Sequence, residues 1–301
     1  MDPRTVRALI GTPRHPELVL RREYRATSGE LRDACTSLPR LARWFGSVEG
    51  APSGAGAEFR VDLGGDGTAT GRIRRCDDDG LEVSWVAGEE PESILSAEWR
   101  DTGAGRAELT LRHRLASEER VAPSGRGWDD ALAALDRSLT GGEAVAEGAG
   151  AWRLIGARPL EVTRTVDAEP ERVWAAIASA EGLRTWWWRH WSDVTIEADV
   201  RVGGRYRIEA PGAEIAVEGR YLVVEPPQRL AFGWRWIDAD GSSVDEAVDI
   251  TLSAAGRGTL VTVRHTGPWE DDAPAESYRQ GWDFTLGELA AVLAGARARN
   301  P

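Results

Sequence analysis

Two histidines occupy equivalent places in the motifs TLRH (110–113) and TVRH (262–265), each preceded by an arginine. A third, His190, lies in the run RTWWWRHW (184–191), with Asp193 just beyond it. Imidazole titrates near neutrality and can act as a general acid or base, with a carboxylate to orient it. His190, Asp193 and His265 are therefore the acid–base candidates, the first two placed to polarise a ligand's carbonyl or phenol. No Ser, Cys or carboxylate recurs beside both His113 and His265, so a structural hydrogen bond is the expectation for that pair. Asp129 and Asp283, in the repeated GWD motif, are expected to meet solvent. The sequence shows no phosphate loop, nucleophile elbow or metal-ligating constellation. Cys35 and Cys76 lack a CxxC partner and are read as free thiols. No metal and no cofactor is expected.

The same eight-residue run holds four tryptophans of the chain's 14. The net charge of −12 would repel phosphate backbones and anionic headgroups alike, so nucleic acid is not an expected partner. No stretch approaches the roughly 20 apolar residues of a membrane span. The N-terminal stretch MDPRTVRALIGTPRHPE has no signal-peptide core, and a cytoplasmic location is the expectation.

An internal repeat organises these residues. LVLRREYRATSGELRDACTSLPRLARWFG (18–46) aligns without a gap on LEVTRTVDAEPERVWAAIASAEGLRTWWW (160–188), so Leu18 falls on Leu160, an offset of 142. EFRV (58–61) matches RYRI (205–208), GRI (71–73) matches GRY (219–221), and LEVSW (81–85) matches LAFGW (230–234). GWDDALAALDRSL (127–139) meets GWDFTLGELAAVL (281–293) at an offset of 154. A period this long is a whole domain, hence a tandem duplication. The expected division is an N-terminal extension over 1–15, a divergent first domain over 16–140, a Gly/Ala/Glu-rich linker over 141–157 and a second domain over 158–297.

In the second copy, LEVTRTVDA alternates as a strand with one buried face. A helix opens at Pro170 and a second short helix follows Ser179. Six strand-like runs separated by turn signals come next, then a long amphipathic helix on which Tyr278, Trp282, Leu286, Leu289 and Leu293 share a face. Strand RLAFGWRWI puts Leu230, Phe232, Trp234 and Trp236 on one side. If that side is the concave one, these rings face Trp282 across a space that side chains need not fill, as Leu81, Val83 and Trp85 would face Trp128 in copy one.

The order of elements, the GG-R-Y-R stretch (203–207), GRYLVVEPPQRLAFGW (219–234), TVRHTG (262–267) and the terminal GWDFTLGELAAVL resemble the SRPBCC, START-like superfamily. Within it they are most similar to the family named for the activator of the heat-shock protein 90 ATPase. Copy one lacks the GG and EPP punctuation. The resemblance implies an α+β class with two tandem helix-grip domains, each a curved antiparallel sheet wrapped around a long C-terminal helix, with two short helices after the first strand. It also implies a cavity between sheet and helix that takes a hydrophobic small molecule. The candidate ligand-binding residues are Trp187, Trp188 and Trp191 of the aromatic run, with Tyr206, Phe232, Trp234, Trp236 and Trp282 from the sheet and helix. Trp188 and Trp191 have no aromatic counterpart in copy one and are expected at the pocket's rim. Two alternatives stand beside ligand binding: a polyketide cyclase or aromatase using the same cavity, and a protein-interaction or co-chaperone module. The two domains are expected to pack against each other.

Overall fold

The computed structural model describes residues 5–50, 54–64, 67–141 and 151–297. It divides into two compact units, Met1–Trp152 and Arg153–Pro301. Unit 1 runs β1 (Val6–Thr12), β2 (His15–Tyr24), α1 (Ser28–Thr36), α2 (Leu38–Leu41), β3 (Ser47–Gly50), β4 (Glu58–Asp62), β5 (Thr68–Cys76), β6 (Gly80–Ala87), β7 (Ser93–Gly103), β8 (Arg106–Arg114) and α3 (Val121–Thr140). Its strands form one antiparallel sheet in the order β1-β2-β8-β7-β6-β5-β4-β3.

A short helix, α4 (Ala151–Leu154), spans the boundary between the units. Unit 2 then repeats the pattern as β9 (Leu160–Val166), α5 (Pro170–Ile177), α6 (Ala180–Arg184), β10 (Thr195–Ala198), β11 (Arg205–Ala210), β12 (Ile215–Glu225), β13 (Arg229–Asp238), β14 (Gly241–Ser242), β15 (Glu246–Ala255), β16 (Gly258–Thr266) and α7 (Ala273–Arg297). The sheet order is β10-β11-β12-β13-β15-β16-β9, with β14 paired to β13. Both units are α+β helix-grip folds, an antiparallel sheet packed on a long C-terminal helix. Trp128, Leu132 and Leu135 of α3 are buried, as are Trp282, Leu286, Leu289 and Leu293 of α7.

The matched motifs coincide in detail. Phe59 pairs with Gly71 across β4 and β5, and Tyr206 with Gly219 across β11 and β12. A Cβ on Gly71 would fall on the carbonyl oxygen of Ser84 and against the Phe59 ring, and one on Gly219 on the carbonyl of Gly233 and against the Tyr206 ring. Close backbone approach under an aromatic ring therefore keeps both glycines. Each register shifts just beyond, between Ile73 and Arg75 and between Tyr221 and Val223. Trp44 Nε1 donates to Ala34 O at 3.0 Å, and Trp186 Nε1 to Ala176 O at 3.0 Å, so one indole locks the helix pair in each copy.

Two expectations are corrected. Residues 6–12 are not an extension ahead of the domain but the edge strand β1, which carries Arg7 to a buried ion pair with Asp129 at 2.9 Å. Asp129 is consequently buried, and its Oδ2 also accepts from Trp152 Nε1 at 2.9 Å, whereas Asp283 is exposed as expected. Of the expected linker, 142–150 lie outside the described residues, and Trp152 belongs to the core of unit 1.

Candidate functional site

In unit 2 the rings gather where β13, β15 and α7 meet the turn after α6. Alternation along β13 turns Leu230, Phe232, Trp234 and Trp236 to one side. Antiparallel pairing sets Trp234 opposite Glu246 and Phe232 opposite Val248. A cleft of about 540 Å³ opens here, walled by Trp187, Trp188, Trp234, Trp236, Trp269 and Trp282 and floored in part by Gly281 and Thr285. Trp187 meets Trp282 edge-on at 5.7 Å, Trp234 lies 5.5 Å from Trp282, and Trp188 meets Trp236 edge-on at 5.8 Å.

Five of the eight expected ligand-binding residues line this cleft: Trp187, Trp188, Trp234, Trp236 and Trp282. Tyr206 and Phe232 line instead a void of about 20 Å³ beneath the helix pair, too small for more than a water molecule. Trp191 is half-buried behind the wall, edge-on to Trp188 at 5.4 Å. Trp188 is itself buried rather than a rim residue, and it holds a left-handed φ of +48°. Gly46, its counterpart in unit 1, also has a positive φ. A bulky side chain in that conformation costs on the order of 1–2 kcal/mol, strain of the kind that clusters at binding sites.

The acid–base candidates separate. His190 is exposed, its ring 4.1 Å from Trp191 and 5.3 Å from Phe284. Asp193 accepts from the Gly212 amide at 2.6 Å and so holds a turn, away from the cleft lining. His265 is fully buried behind the cleft, and burial pushes its pKa down to about 3. Its Nδ1 accepts from Trp282 Nε1 at 3.3 Å, as His113 Nδ1 accepts from Trp128 Nε1 at 3.0 Å. That bond fixes the tautomer with the proton on Nε2. The expected structural hydrogen bond is thus present in both copies.

Among the lining residues not anticipated from the sequence, which include Trp269, Asp238 and Ser243, the most consequential is Glu246. It is only 5% exposed yet lines the cleft. Its Oε1 accepts from Trp269 Nε1 at 2.8 Å, and its Oε2 from Ser243 Oγ and Tyr278 Oη, each at 2.8 Å. His265 Nε2 stands 3.8 Å from Oε2 and has no hydrogen-bond partner. Burial raises the Glu246 pKa, and the three neutral donors offset part of that rise. The Tyr278 hydroxyl is pushed up as well, by burial and by the neighbouring carboxylate.

Unit 1 answers the same position differently. Trp85 pairs with Ser93 where Trp234 pairs with Glu246. Ser93 Oγ lies 2.9 Å from His113 Nε2, so that histidine is satisfied at both nitrogens. Phe45, Trp85 and Trp128 then pack ring on ring, Phe45 stacked on Trp128 at 5.7 Å. A wider depression of about 790 Å³ lies on unit 1 across β3 to β6. Its lining includes Arg72 and Glu58, paired with each other at 2.6 Å and open to water, which makes it a solvated surface and not an apolar site.

Residues 167–294 match the model of the family described as Activator of Hsp90 ATPase homolog 1-like protein. Among solved structures, the chain is similar to CalU16 from Micromonospora echinospora. The solution structure of CalU16 is 31% identical, with 47% of this chain and 77% of that one covered and a TM-score of 0.42. Its crystal structure is 28% identical, with 46% and 87% covered and a TM-score of 0.40. Protein CV1439 from Chromobacterium violaceum is 29% identical over 45% of this chain and 97% of its own, at a TM-score of 0.38. DynU16, from the dynemicin biosynthetic locus, is 17% identical over 92% and 97%, at a TM-score of 0.39. No curated protein matches the chain.

Proposed function

We propose, for a chain that belongs to the family of activator of Hsp90 ATPase homolog 1-like proteins, that unit 2 binds an apolar small molecule with an aromatic body in the cleft between β13, β15 and α7. One observation carries this reading: six tryptophans wall a space of about 540 Å³ in a unit whose deeper interior is closed to about 20 Å³. Ligand pockets of small molecules fall in this size range, with mostly apolar walls and few polar groups. The residues lining this cleft all belong to unit 2, which supports placing binding there. Among the described residues the exposed large apolar side chains are Val6 on β1, Val202 and Val244 in the turns before β11 and β15, and Phe284 on α7, which supports a protein-interaction reading less well. Titration with the neutral fluorophore N-phenyl-1-naphthylamine tests the proposal. A saturable fluorescence rise at one dye per chain is expected, and absence of saturable enhancement overturns it.

Glu246 favours a second reading, acid–base turnover of the bound molecule. A buried carboxyl with a raised pKa keeps its proton to higher pH than an exposed one and can deliver it within the cleft. His265, with no exposed surface, cannot touch the ligand directly. Under this reading Glu246→Gln abolishes turnover while dye binding persists; unchanged turnover excludes it.

A further inference from the structure

Two independent features of the cleft select the same sign of charge. The first is its walls. The face of an aromatic ring carries negative quadrupole density and attracts cations, indole most strongly. Trp234, Trp236, Trp269 and Trp282 surround the space with such rings, as does Tyr278. The second is the charge inventory. The ionisable acids on the lining are Glu246 and Asp238, and no Lys, Arg or His lines it. Asp238 accepts from Trp236 Nε1 at 2.8 Å, which ties that carboxylate to the wall. Glu246 is held by the neutral donors Trp269, Ser243 and Tyr278, and the nearest basic group, His265, 3.8 Å away, has its pKa pushed down by burial and so supplies no charge. Buried carboxylates are ordinarily matched by a cation. Unit 1, with Ser93 at the same register position, has no carboxylate there to match.

We infer that the ligand of unit 2 is an organic cation, a protonated or quaternary amine on an apolar aromatic body, whose ammonium group sits among the indole faces beside Glu246. This rests on the reading of the cleft as a ligand site and names the chemical class it takes. Glu246 supplies the countercharge, and the tryptophans supply both apolar contact and cation–π attraction. An anionic ligand would meet two carboxylates and no positive group, and is disfavoured on the same grounds.

The test compares benzyltrimethylammonium with neopentylbenzene, which has the same shape with a carbon in place of the charged nitrogen, by quenching of tryptophan fluorescence in the full chain. The cation is expected to bind at least about tenfold more tightly, the range of a desolvated cation–π contact with a countercharge. Glu246→Gln should remove most of that preference, read as the ratio of the two affinities in the variant against the same ratio in the wild type. If the variant does not fold, Trp236→Leu, which removes one ring and keeps an apolar wall, should lower the cation's affinity more than that of the hydrocarbon. Equal affinities, or tighter binding of the hydrocarbon, overturn the inference and leave the apolar site standing. Binding of neither probe overturns the cleft as a ligand site and the inference with it.

Discussion

Gly281 offers a way to close the cleft without harming the fold. It lies within α7 on the cleft lining, is exposed, and a Cβ placed on it meets no atom within 4 Å. Glycine inside a helix costs about 0.5–1 kcal/mol relative to a good helix former, so Gly281→Leu should stabilise unit 2 by that amount. For a unit of this size the gain corresponds to a rise in Tm of about 1–4 °C. The new side chain occupies the space a ligand would use. Overfilling a packed site costs about 1–3 kcal/mol, which corresponds to a loss of affinity of about five- to 140-fold. The repeat provides the control. Gly127 occupies the same GWD position in α3, is exposed, and likewise has open space around its Cβ. Gly127→Leu should give a similar thermal gain in unit 1 with no change in dye affinity. Calorimetry and N-phenyl-1-naphthylamine titration of both variants decide the matter. If Gly281→Leu binds the dye as the wild type does, or if both variants lose it equally, the ligand does not occupy this cleft.

Removing Asp129 should destabilise unit 1 by about 3–5 kcal/mol, because Arg7 would remain buried without its carboxylate; denaturant unfolding of Asp129→Ala checks this, with dye binding in unit 2 unchanged. At position 188 the usual order of substitutions should reverse, Trp188→Gly being less destabilising than Trp188→Ala by about 1 kcal/mol, since only glycine accepts the left-handed φ freely. Comparison of their unfolding midpoints tests it, and equal losses would show the backbone relaxing. Acid should weaken unit 1 through His113, whose buried ring has a pKa lowered to about 4. The unfolded chain takes up that proton near pH 6.5, so stability is full above that value and is lost as pH falls towards 4, by about 3 kcal/mol at the limit. His265 acts in the same direction in unit 2, while Glu246, whose raised pKa makes its ionised form the burden, offsets part of the loss as it protonates. Unfolding free energies that stay flat between pH 7 and pH 5 would contradict this assignment for unit 1.

The fold was legible because the duplication preserves pairs and not only residue types. Phe59 with Gly71 and Tyr206 with Gly219 are cross-strand partners, and a paired constraint leaves a double trace in the sequence. The tryptophan wall was legible from alternation along β13 and the helical spacing of α7. Glu246 was missed although alternation carries the signal: it lies two residues before Val248 and four before Ile250, both of which face the core. A carboxylate in a strand reads as outward-facing until its three donors are known, and those come from β14's flank, from Trp269 and from α7. The strand β1 was missed for a related reason. Its apolar run is short and ends at a turn, and nothing in the local pattern announces that Arg7 will meet Asp129, 122 residues away. Tyr206 and Phe232 share a face with the cleft residues, but periodicity gives the face and not the position along it. They fall under the helix pair, where the space is already filled.

The most direct test is a crystal structure of the full chain grown with N-phenyl-1-naphthylamine. The dye is expected between Trp236 and Trp282, within contact of Glu246 and Gly281, at one copy per chain. Dye bound among Phe45, Trp85 and Trp128 of unit 1, with the cleft of unit 2 unoccupied, would contradict the assignment of the site.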